Sequence, residues 1–121
     1  MRRRDLPGLL ALLAPIAAQA VVSPAEQARI ERLLRFVETQ TEAKFVRNGT
    51  AYSGRDAARF LRGKFEKMGE HVSTAQEFID QIASKSSTSG QAYLIRFADG
   101  RTVLVAEFLA AELARMDATA P

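Results

Sequence analysis

The chain has no cysteine and a single histidine, His71. No disulfide can form, so even in an oxidising compartment stability must come from the core and its hydrogen bonding. A lipoprotein anchored through an acylated cysteine is excluded as well. One histidine, no cysteine and no carboxylates at ligand spacing leave no metal site to write down, and no cofactor motif is present. There is also no membrane-length apolar stretch. The run from Leu9 to Ala18 falls short of the about 20 residues that a spanning helix needs, and no stop-transfer segment follows it.

That short run has the flanks of an export signal. Arg2, Arg3 and Arg4 make a positive start, Pro15 ends any helix in the apolar run, and Ala18-Gln19-Ala20 is a small-x-small cleavage site. Residues 1–20 therefore read as a secretion signal cleaved after Ala20, with an uncleaved anchor as the alternative. Arg3-Arg4-Asp5-Leu6 resembles a twin-arginine signal, but a domain without a cofactor motif suits the general secretory route better. The expectation is a periplasmic protein with no stable membrane span in its mature form.

Removal of this segment changes the charge argument. The chain holds 17 Lys+Arg and 14 Asp+Glu; without Arg2, Arg3, Arg4 and Asp5 the remainder holds 14 and 13, a net of +1. A global pull toward nucleic acid is not supported, and export makes that partner improbable. Residues 21–121 suit one compact domain, with the last five residues as a frayed tail.

Ser23-Pro24-Ala25-Glu26 is a helix start, with Ser23 as cap and Glu26 reaching back as in a capping box. Ile30, Leu33, Leu34 and Val37 recur at helical spacing to about residue 40. Phe45 to Tyr52 reads as a hairpin, Asn48-Gly49 supplying the two positive-φ residues of a type I′ turn. Ser53 with Asp56 opens a second helix to about Met68, expected to turn Ala57, Leu61, Phe65 and Met68 inward with Phe60 alongside. Gly69 ends it. Thr74-Ala75-Gln76-Glu77 is a further capping box before Phe78, Ile79 and Ile82. After the polar loop Ser84 to Gly90, Tyr93 to Phe97 and Arg101 to Val105 pair around Asp99-Gly100. A last helix, about 106–116, buries Phe108, Leu109, Leu113 and Met116. The order is α-β-β-α-α-β-β-α: a small single α+β domain whose two antiparallel hairpins share one sheet, with helices against one face.

Four segments carry a family resemblance. Phe45-Val46-Arg47-Asn48-Gly49-x-x-Tyr52, Ala57-Ala58-x-x-Leu61-x-x-Lys64, Thr74-Ala75-x-x-Phe78-Ile79 and Ser86-Ser87-x-Ser89-Gly90-x-x-Tyr93-x-Ile95 resemble the YfeK-like family of small exported proteobacterial proteins of unknown function. The resemblance spans about Ile30 to Leu113. It implies a periplasmic single domain and brings no catalytic or binding residues with it.

The serine-rich loop is the most site-like feature. Ser86, Ser87, Ser89 and Gly90, with Tyr93 beside them, gather hydroxyls and flexible amides that suit a phosphate, carboxylate or sugar ligand. The competing reading is a cap and turn, because the loop follows a helix C-terminus, where carbonyls rather than amides lack partners. Arg55, Arg59 and Arg62, with Lys64 and Lys67 near, form a basic stripe on the second helix. It suits lipid phosphates or acidic glycans, or is a solvated face partly neutralised by Asp56 and Glu66. A Ser87-His71-Asp80 or Ser87-His71-Asp99 set can be written down, but no spacing demands it, and no catalytic residue is assigned. The leading expectation is a non-catalytic binding or interaction module for an envelope component or periplasmic protein. The alternative is a small periplasmic hydrolase or transferase using a loop serine with His71 or Lys85 as base.

Overall fold

Helix starts are where this sequence is most explicit, and each expected cap forms. In the computed structural model, which describes residues 21–119, Ser23, Ser53 and Thr74 accept from the backbone N–H three residues on, at 3.2, 3.1 and 3.1 Å. They open α1 (Pro24–Glu38), α2 (Gly54–Met68) and α3 (Ala75–Gln81). The expected secretion signal, with its cleavage after Ala20, lies outside the described residues. Among those described, no helix is long and apolar enough to cross a membrane.

The strands β1 (Lys44–Arg47), β2 (Thr50–Tyr52), β3 (Leu94–Arg96) and β4 (Thr102–Leu104) form one antiparallel sheet in the order β2-β1-β3-β4. Asn48 and Gly49 both take positive φ, +51° and +81°, as a type I′ turn requires. The second turn differs in kind: only Gly100 is left-handed, and Phe97 and Arg101 close it through an N–H···O bond of 2.8 Å. Strand alternation sends Phe45, Ile95 and Val103, paired in register, toward the helices. The helices α1, α2, α3 and α4 (Val105–Thr119) cover that face, enclosing Ile30, Leu33, Leu34, Phe78, Ile82 and Leu109. The order and class are those expected: α+β, α-β-β-α-α-β-β-α.

Three local expectations are corrected. The last helix does not fray at residue 117; it continues to Thr119, and Asp117 binds Arg29 of α1 at 2.7 Å. On α2 Leu61 is buried and Ala57 and Phe65 are half-buried against the core as expected, but the other buried positions are Gly54, Ala58 and Lys64, and Met68 is 50% exposed. Finally, the Glu26 carboxylate does not close a box with its own cap. It accepts the Ala75 N–H at 2.8 Å, joining α1 to the start of α3, while Glu77 accepts chiefly from the Ser73 N–H and hydroxyl, at 2.7 and 2.9 Å.

These carboxylates make stability acid-sensitive. Glu26 is held below the ordinary value of 4.5 by the Ala75 N–H and then by Arg29. Glu31 is held down by Arg62, and Glu112 by Arg115. In that range the unfolded chain binds more protons than the native one. The stabilisation is therefore present above 4.5 and is lost as the pH falls through the lower folded values. The urea midpoint is expected to hold near neutrality and to fall toward about pH 3, with a shallower fall in Glu26→Gln. An equal slope in that variant would assign the acid sensitivity to other groups.

Candidate functional site

The two sequence motifs meet in space at the open end of the sheet. Asn48, whose backbone makes the hairpin turn, also uses its side chain: Nδ2 donates to the Ser86 hydroxyl at 3.3 Å, and Oδ1 accepts a short bond from the Ser89 hydroxyl. The loop is closed by its own backbone. Ser86 N–H donates to Gln91 O and Gly90 N–H to Ser86 O, both at 2.9 Å, with Gly90 at φ +76°. Lys85 and Ala92 bridge its stem.

Ser86 lies at the centre of the loop, 3% exposed. Its hydroxyl accepts from the Thr88 and Ser89 N–H groups at 3.3 and 3.4 Å and lies 3.0 Å from the Thr88 hydroxyl. It organises the loop from within. Ser87 is exposed, its hydroxyl 3.6 Å from Met68 Sδ; Ser89 is exposed and receives the Gln91 N–H at 3.1 Å. Tyr93 is buried, edge-on to Phe60 at 6.1 Å.

No loop serine has a base. Among the described residues, neither His71 nor the Lys85 ammonium hydrogen-bonds any loop hydroxyl, and Ser84 donates to Asp80 O at 2.7 Å. His71 is exposed beside Glu70, at 3.8 Å. No three histidine or acidic side chains gather among the described residues as a metal site would require.

The side chain that sequence reasoning passed over is Lys64. It is 7% exposed, and its ammonium donates to Lys85 O at 2.8 Å and to the Tyr93 hydroxyl at 2.9 Å. Burial, and then the charge of Arg47, push its pKa down; burial pushes that of Tyr93 up. Its spacing from Leu61 and Ala57 could have marked it as inward-facing, but a lysine in a basic stripe reads as solvated. The stripe itself divides. Arg62 is held by Glu31 of α1 at 2.8 Å, a tie between helices, and Arg59 lies 3.6 Å from Asp56.

Two concavities flank this cluster. An apolar groove of about 360 Å³ lies between α2 and the sheet end, lined by Phe45, Tyr52, Ala57, Leu61 and Val105, with the exposed Phe60 at its rim. It adjoins a recess of about 330 Å³ between α2 and the serine loop, and Arg47, Arg59, Phe60 and Tyr93 line both. The Arg47 guanidinium lies over the Phe60 ring, 4.4 Å from its centre.

Asn48→Gly separates the two jobs of that residue, because glycine keeps the positive φ and loses the side chain. The variant is expected to stay folded at a cost of about 1 kcal/mol, with faster amide exchange at residues 86–91. Unchanged exchange there would mean that the Asn48 side chain does not hold the loop.

The sequence model described as a family of unknown function (DUF5329) matches residues 24–117. The chain is also 38% identical over 85 residues to the uncharacterized protein YfeK of Salmonella typhimurium, covering 70% of this chain and 71% of that protein. No solved structure matches.

Proposed function

From a chain that belongs to the DUF5329 family, whose function is unknown, we propose a non-catalytic binding module that acts in the periplasm and takes up an amphiphilic component of the cell envelope. The observation that carries this reading is the apolar groove opening directly onto a recess that adds Lys64, Lys67 and the loop residues Ser86, Ser87 and Thr88 to the shared lining. A volume of about 360 Å³ falls within the range of small-ligand sites, which are typically apolar with a few convergent polar groups. Phe60, a large ring left 37% exposed beside the groove, gives the apolar part of a ligand a surface to cover. Ser87 and Ser89 present hydroxyls at the loop surface, Ser86 and Gly90 shape the loop, and Tyr93 lines both recess and groove. Periplasmic location is supported by the arginines, apolar run and Ala18-Gln19-Ala20 site of the first twenty residues. The loop serines lack a base, so nothing in the geometry favours hydrolysis.

A neutral apolar dye, N-phenylnaphthylamine, tests the groove. Its fluorescence is expected to rise with the purified protein and to stay low with Ala57→Phe, which fills the groove from a half-buried position on α2. No rise with the parent, or an undiminished rise with the variant, would overturn the groove as ligand site. The mass of the chain recovered from the periplasm of a proteobacterial host tests location; it is expected to begin at Val21, and a cytoplasmic chain beginning at Met1 would overturn it.

A further inference from the structure

Charge around the recess is one-sided. Arg47, Arg59, Lys64 and Lys67 line it, and no carboxylate does. Arg59 has Asp56 at 3.6 Å, but among the described residues no acidic side chain lies within 4.0 Å of the cationic atoms of Arg47, Lys64 or Lys67. Lys64 is the most telling of the three. An almost fully buried ammonium faces a carbonyl and a phenol, two of its three protons used, with no counter-charge. Buried charges are ordinarily paired, because removing them from water costs far more than two neutral hydrogen bonds return. Arg47, half-buried, likewise meets only neutral groups: Nη1 donates to the Tyr52 hydroxyl at 3.4 Å and its buried Nε has no acceptor.

These groups come from different elements and converge. Arg47 ends β1, Lys64 and Lys67 lie one turn apart on α2, and the exposed hydroxyls of Ser87 and Thr88 close the loop side. A carboxylate would offset one of three uncompensated charges. A phosphate monoester carries about −1.5 to −2 and three acceptor oxygens, which matches cations and hydroxyls arriving from three directions.

We propose that the recess is a phosphate site, and that the ligand is a phosphorylated amphiphile whose terminal phosphomonoester sits among Arg47, Lys64 and Lys67 while its apolar chain lies in the adjoining groove. This rests on the reading of the groove as a ligand site. Phe60 and the Arg47 guanidinium stacked on it lie at the junction of head and tail.

Displacement of the bound dye by decyl phosphate, decanol and inorganic phosphate tests the proposal, with both decyl probes below their micelle concentrations. Decyl phosphate is expected to displace the dye at about tenfold lower concentration than decanol. Lys67→Glu, at an exposed position, and Lys64→Met are each expected to remove that advantage while leaving dye and decanol binding intact, which also shows that the variants are folded. Equal displacement by decyl phosphate and decanol would overturn the phosphate site and leave the groove standing. Failure of both to displace the dye would overturn both readings. Stabilisation against heat by inorganic phosphate as strong as by decyl phosphate would overturn the amphiphile assignment in favour of a free anion.

Discussion

Phe78→Ala is expected to lower the melting temperature by about 15–30 °C, from a loss of about 3–5 kcal/mol. Phe78 is fully buried, edge-on to Phe65 at 5.4 Å, on a helix of seven residues. A helix that short is not stable by itself. α3 is held by its packing on α1 and α4 and by the Glu26 carboxylate at its start. Removing the ring leaves a cavity against Phe65, which belongs to a separate helix, α2, and cannot close on it without moving that helix. Because small domains are stable by only about 5–15 kcal/mol, the variant should be the least stable of any single core truncation. A fall of less than about 5 °C by calorimetry would place the centre of the core elsewhere.

Gly54→Ala is the second large effect, for the opposite reason. An added Cβ would lie 2.4 Å from Val37 O and 3.0 Å from Gln40 O. Both are backbone atoms, Val37 in the last turn of α1 and Gln40 just beyond its end, and Val37 O already accepts the Gln40 N–H at 3.1 Å. No side-chain rotation relieves the contact; α1 and α2 must move apart. A loss of about 2–3 kcal/mol and about 10–15 °C is expected. Gly63→Ala on the same helix is the control. Nothing lies within 4 Å of its added methyl, and alanine should stabilise the helix interior by about 0.5–1 kcal/mol. Equal effects of the two substitutions would show that helix propensity, not the close approach of α1, sets the requirement at Gly54.

Much of this fold was legible because its signals are local. Ser23, Ser53 and Thr74 each satisfy a backbone N–H three residues away, so the caps can be read without knowing the tertiary structure. Asn48-Gly49 sets its turn by backbone sterics alone. What failed was long-range. Glu26 has two available partners, and only the placement of α3 decides that its carboxylate goes to Ala75, 49 residues on. The inward face of α2 was legible in part: Leu61 is buried and Ala57 and Phe65 are half-buried against the core, but Gly54 meets the end of α1 and Lys64 meets the loop carbonyl of Lys85. A helical wheel shows neither partner. The serine loop was located correctly, but its composition could not distinguish Ser86, bonded from within, from Ser87, which faces outward. The basic recess was harder still, since Arg47 and Lys64 stand 17 positions apart in separate motifs, and nothing local to either says that they meet.

The clamp between Asn48 and the loop hydroxyls ties two segments of the chain into one heritable unit. A substitution at position 48 that keeps the turn, such as glycine, removes the side-chain bonds to Ser86 and Ser89 at the same time. Drift in either segment is therefore paid for in the other. Across the DUF5329 family, positions 48, 86 and 89 should change together, and lineages that lose the asparagine should be those whose loop has been shortened or rebuilt.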